Sequence, residues 1–155
     1  MKKLILYATK YGATAEIARR IAEKFGDADT HDLKAPVPDF TEYDCIIIGS
    51  SIYAGAFRKE VKNFFAQNED KLLQKKFGVF ASGMSRGDGG KVFDENVPDK
   101  IKQATKATEL LGGIFDPSKA NFMERLIMKI ITKQSGHVDV IDESKIESFV
   151  KEMQG

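Results

Sequence analysis

The chain of 155 residues has no tryptophan, one cysteine, two histidines and four prolines. A single thiol, Cys45, excludes a disulfide framework and a cysteine-built metal site. Its place in an apolar run marks it as a buried, inert side chain. His31 and His137 lie far apart with no ligand-like spacing, so no metal centre is expected. No apolar run reaches the length of a membrane-spanning helix. The short run after Lys2 and Lys3 is also too brief for a signal peptide. The expectation is a cytoplasmic protein. Charges nearly cancel, with a formal net charge of +1. What the chain does have, 42% hydrophobic and 30% charged residues, is ordinary for one water-soluble domain with a real core.

One stretch carries chemistry. The apolar run Leu4 to Ala8 leads into Thr9-Lys10-Tyr11-Gly12-Ala13-Thr14, and a helical pattern follows. A strand that enters a helix through a hydroxyl- and glycine-bearing turn presents unpartnered N–H groups at the positive end of the helix dipole. Thr9 and Thr14 add hydroxyl donors. Gly12 permits a close approach or a positive φ. The arrangement suits a phosphate and requires no lysine, so Lys10 reads as solvated.

Elsewhere the chain alternates strand and helix. Strands are expected at 2–8, 28–33, 44–49, 76–82 and 108–115, the polar second one at a sheet edge. Helices are expected at 13–25, at a short segment bearing Val61, Phe64 and Phe65, at about 94–107 with Pro98 near its first turn, at 122–133 and at 142–153. Gly26 reads as a helix stop. In the penultimate helix, Asn121 and Glu124 read as a cap and its partner. This pattern specifies a single three-layer α/β domain, a doubly wound sandwich with a five-stranded parallel sheet and right-handed crossovers. Ligands of such sheets sit at the carboxyl ends of the strands, where the strand order reverses.

Thr9-x-x-Gly12-x-Thr14 resembles the FMN phosphate loop of flavodoxins. Gly49 to Gly55 and Ser82 to Gly89 stand where that family places its two flavin-embracing loops. The likeness spans essentially the whole chain and implies the strand order 2-1-3-4-5. It also implies FMN as cofactor, with Thr9, Lys10, Tyr11, Gly12, Ala13 and Thr14 at the phosphate. Ser51, Ile52, Tyr53, Ala54, Gly55, Ser82, Gly83, Met84 and Ser85 would lie at the ring. Tyr11 replaces the Thr or Ser usual in that loop. Tyr53 either stacks on the flavin or packs on its own helix, and Asp88 caps a helix or braces a glycine turn. Within the superfamily the chain is most similar to menaquinone-dependent protoporphyrinogen oxidase. That likeness is carried by the first loop, by Gly49-Ser50-Ser51-Ile52, and by Leu111 to Gly136.

The oxidase resemblance implies a dehydrogenase of haem biosynthesis that passes electrons from a tetrapyrrole to a quinone. No catalytic residue is identified, because neither histidine is placed near these loops. Between Lys119 and Lys133 four cations, Lys119, Arg125, Lys129 and Lys133, face only Glu124. This stripe is either the solvated side of a helix packed on the sheet, or a surface for an anionic membrane or a carboxylated apolar substrate. Electron-carrier flavodoxins are acidic, so a near-neutral chain implies a higher flavin potential. Two rivals stand beside the oxidase: an electron-transfer carrier between redox partners, and a flavin-free interaction module. No nucleic-acid partner is expected.

Overall fold

The computed structural model describes residues 2–83, 89–115 and 138–155. The helix expected at 122–133, its Asn121 and Glu124 cap, the cationic stripe, His137, Asp88 and the site candidates Met84 and Ser85 lie outside the described residues.

The elements run β1 (Lys3–Ala8), α1 (Ala13–Phe25), β2 (Ala28–Asp32), β3 (Cys45–Tyr53), β4 (Ala56–Phe57), α2 (Lys59–Leu73), β5 (Lys76–Ser82), α3 (Gly89–Asn96), α4 (Asp99–Ala104), β6 (Ala107–Leu110), β7 (Ile114–Phe115), β8 (Val138–Asp139) and α5 (Glu143–Gln154). The main sheet is parallel in the order β2-β1-β3-β5-β6, with β4 folded back on β3. Without that short strand, the order is the 2-1-3-4-5 expected from sequence.

Period-two alternation explains the layering. Leu4, Leu6, Ile46, Ile48, Phe77 and Val79 point to one face, where they meet Phe64 and Phe65 of α2, Phe93 of α3 and Ile101 of α4. Ile5, Ile47 and Phe80 point to the other, against Ile17 and Ile21 of α1 and Phe149 of α5. Burial on both faces is why β1 and β3 read as unbroken apolar runs. The helix pattern at 13–25 is realised: Ile17, Ala18, Ile21 and Phe25 are buried, and Gly26 ends α1 at φ 69° with its N–H on the Ala22 carbonyl. Cys45 is fully buried in β3, and burial pushes its thiol pKa up. No helix among the described residues is long and apolar enough to cross a membrane.

Three elements depart from the sequence reading. β3 runs on to Tyr53 instead of ending at Gly49, because the strand is prolonged as a hairpin with β4. The helix expected at 94–107 is two helices, since Pro98 disfavours helical backbone at Val97 and caps α4 with φ −55° and ψ 145°. The strand expected at 108–115 breaks after Leu110. Gly112 turns the chain at φ 84°, and Ile114–Phe115 then pairs with Val138–Asp139 in a separate antiparallel ribbon.

Register positions the site. Ala8 pairs with Ser50, Ser50 with Ala81, and Ser51 with Ser82. The loops leaving β1, β3 and β5 therefore start at one level. Since β2 and β3 flank β1 on opposite sides, the order reverses beside the first of these loops.

Candidate functional site

The loop after β1 is set by two residues. Thr9 Oγ1 accepts the Gly12 N–H at 2.8 Å, closing a tight turn and leaving the threonine its own O–H to donate. Gly12 follows at φ 103° and ψ −12° as the N-cap of α1, with no side-chain cap. A residue with a Cβ is strained there, so glycine is needed for its backbone and not only for a close approach. The helix start thus lies at the carboxyl edge of the sheet with no side-chain cap from its N-cap residue. Within it Thr14 is fully buried, and its Oγ1 has no hydrogen-bond partner among the described residues. A buried hydroxyl left unpaired costs about 1–3 kcal/mol. It marks a position where an outside group completes the bonding.

The second loop is a β-hairpin. Ala54 (φ 52°) and Gly55 (φ 79°) form its two-residue turn, with Tyr53 opposite Ala56. Positive φ at both positions is the type I′ geometry that matches the twist of paired strands. Ser50, which reads as a loop residue in sequence, is fully buried. Its Oγ accepts the Arg58 N–H at 2.8 Å and donates to the Ser51 carbonyl at 2.9 Å. The Ser51 hydroxyl beside it is a second buried oxygen with no partner among the described residues. Tyr53 is 46% exposed at the strand end.

Lys10 is not simply solvated. It is half-buried, with its ammonium 3.4 Å from the Tyr53 ring centroid and 5.1 Å from that of Tyr11. The first and second loops thus meet through this side chain. The third loop begins against the second: a Cβ on Gly83 would lie 3.4 Å from Ile52 Cβ, and the Gly83 N–H donates to the Gly112 carbonyl at 2.9 Å. Ser82 is buried at the end of β5. Of the sequence candidates, Thr9 to Thr14, Ser51 to Gly55, Ser82 and Gly83 therefore cluster on one edge.

Asn96 escapes sequence reasoning. Between Glu95 and Val97 no spacing or composition signals it, yet its side chain braces the hairpin from α3. Its Oδ1 accepts the Phe57 N–H at 3.0 Å, and its Nδ2 donates to the Gly55 and Val92 carbonyls at 2.9 and 2.8 Å. Asn96→Ala strands a buried donor and acceptor in the hairpin. The expected cost is about 2 kcal/mol, read as a lower urea midpoint at unchanged slope. A loss below about 0.5 kcal/mol would contradict the bracing role.

A helix terminus without a side-chain cap, a buried hydroxyl in its first turn with no partner among the described residues and an exposed aromatic ring in the neighbouring loop fit a flat heterocycle that ends in a monoester phosphate. FMN, the cofactor implied by the sequence resemblance, has that form. Thr9 to Thr14 would hold its phosphate, and Ser51 to Gly55 with Gly83 its ring.

A sequence model of the flavodoxin domain matches residues 4–140. A protein of Methanocaldococcus jannaschii, itself uncharacterised, is 33% identical over 114 residues, 72% of each chain. Among solved structures, oxidised flavodoxin 1 of Bacillus cereus is similar with a TM-score of 0.61, 17% identity and coverage of 99% of this chain and 95% of that one. A flavoprotein of Lactobacillus acidophilus in complex with FMN gives a TM-score of 0.51 at 18% identity, covering 72% of this chain and 90% of its own. Rubredoxin:oxygen oxidoreductase of Desulfovibrio gigas gives 0.57 at 16% identity, covering 99% of this chain and 34% of its own. At these identities the structural likenesses concern the fold alone, and the family follows from the domain match over most of the sequence. This chain belongs to the flavodoxin-domain family.

Proposed function

We propose that this protein binds FMN and acts as an electron-transfer carrier between redox partners. The observation that carries the reading is the unpartnered, buried Thr14 hydroxyl at the uncapped start of α1. Phosphate oxygens bound there would accept from that hydroxyl, from Thr9 and from first-turn amides, with the helix dipole adding attraction. The bound flavin would supply one- and two-electron chemistry. The protein's share is to seat the phosphate, to hold the ring between the hairpin and the Gly83 turn, and to leave an edge open for exchange.

The described part of the loops supports a carrier reading. Over the described residues 9–14, 50–58 and 82–83 the ionisable side chains are Lys10, Tyr11, Tyr53 and Arg58, with no carboxylate or imidazole to act as a base; Asp88 of the third loop lies outside the described residues. The likeness to protoporphyrinogen oxidase rests partly on 116–136, which lies outside the described residues. An anaerobic assay with protoporphyrinogen and menaquinone separates the two readings. Fast electron exchange with a flavodoxin reductase and no turnover is expected. Turnover would move the assignment to the tetrapyrrole dehydrogenase, with quinone as acceptor.

Titration of flavin-free protein with FMN and riboflavin tests the binding. Loss of a charge-assisted hydrogen bond in Thr14→Val is expected to weaken FMN about tenfold or more while changing riboflavin by less than about threefold. Equal losses for both flavins would place the phosphate elsewhere.

A further inference from the structure

We propose that Lys10 makes this site selective for a phosphorylated flavin, by giving up its seat on Tyr53 in exchange for the phosphate. The proposal rests on the FMN reading and deepens it. Its starting point is the ammonium standing 3.4 Å above the Tyr53 centroid. At that distance the charge lies directly on the ring and covers one of its two faces. Tyr53 is the only aromatic ring in the 50–55 hairpin, and a flat ligand that stacks there competes with the lysine.

The surroundings decide which part moves. Two Asn96 hydrogen bonds, to Phe57 and Gly55, and the type I′ turn fix the hairpin. The Thr9–Gly12 bond fixes the first loop. The lysine stem, with its staggered rotamers, is the compliant element between them. Lys10 also belongs to the loop that ends at the start of α1, in whose first turn the Thr14 hydroxyl is buried without a partner among the described residues.

A ligand without phosphate displaces the cation from the ring and offers no anion in return. A phosphorylated one offers a dianion within the same loop, and the lost cation–π contact is replaced by a charge-assisted hydrogen bond. The lysine therefore opposes riboflavin and favours FMN. Tyr11, its ring centroid 5.1 Å from the same cation, is a second aromatic neighbour of the lysine.

The test measures dissociation constants for FMN and riboflavin with wild type, Lys10→Met and Lys10→Arg, each with a circular dichroism spectrum to confirm the fold. The preference for FMN over riboflavin is expected to fall about tenfold in Lys10→Met, with riboflavin binding unchanged or tighter, and to be largely kept in Lys10→Arg. A flavin-free readout accompanies it. Because the chain has no tryptophan, tyrosine emission is directly visible. Inorganic phosphate is expected to change that emission in wild type and not in Lys10→Met. A preference unchanged within about twofold, in a wild type that binds both flavins, overturns the role of Lys10 and leaves FMN binding standing. A wild type that binds neither flavin overturns both.

Discussion

Gly12→Val is expected to lower FMN affinity about a hundredfold. The native φ of 103° is a left-handed conformation that costs an L-residue about 1–2 kcal/mol, and a β-branched one more. The chain relieves that strain by rotating the peptide groups that open α1, and so loses an amide aimed at the phosphate, worth about 1.5–3 kcal/mol for a charged partner. About 3 kcal/mol, the upper end of that loss, is two decades of affinity. Riboflavin binding should fall much less. Flavin fluorescence titration checks this, and a drop of less than about threefold in FMN affinity would remove the phosphate loop from the site.

Gly112→Ala carries the largest expected stability loss. A Cβ there would lie 2.0 Å from the Val140 carbonyl oxygen and 3.0 Å from Ile141 Cα, both backbone atoms. These segments cannot swing aside easily. The Val140 N–H is bonded to the Gly113 carbonyl at 2.8 Å, and the Asp142 N–H to Leu111 at 3.1 Å. Overlap of this kind costs about 1–3 kcal/mol, and the positive φ of 84° adds about 1–2 kcal/mol. A loss near 4 kcal/mol lowers the thermal midpoint by about 10 °C in a domain of this size. Gly26→Ala is the matched control, since Gly26 has φ 69° and nothing within 4 Å of the added methyl. It should show only the conformational part, about 1–2 kcal/mol. Equal midpoints for the two variants would mean that the β6 corner yields freely.

The first third of the chain is legible because local and global signals agree there. The run Leu4 to Ala8, the Gly12 turn and the spacing of Ile17, Ala18, Ile21 and Phe25 each point to the same unit, and β1, the phosphate loop and α1 follow. Ser50 and Ser51 mislead because hydroxyls after a strand usually signal a turn. Here Ser50 is satisfied internally by Arg58, so the polar residue can continue the strand. Asn96 is invisible because its three partners are backbone groups distant in sequence or within its own helix, and no side-chain pattern records them. The cation–π seat of Lys10 is missed for a similar reason, since its ring partner arrives from β3, on another strand of the sheet.

Both flanks of the 84–88 connection are anchored on the end of β6. Gly83 is bonded to Gly112, and a Cβ on Gly89 would stand 3.3 Å from Leu110 Cβ. The distance this connection must span is therefore dictated by the scaffold and not by its own residues. A shift of the corner after β6 would thus carry Gly83 and Gly89 with it, so a change at Gly112 reaches the edge of the candidate site through the backbone.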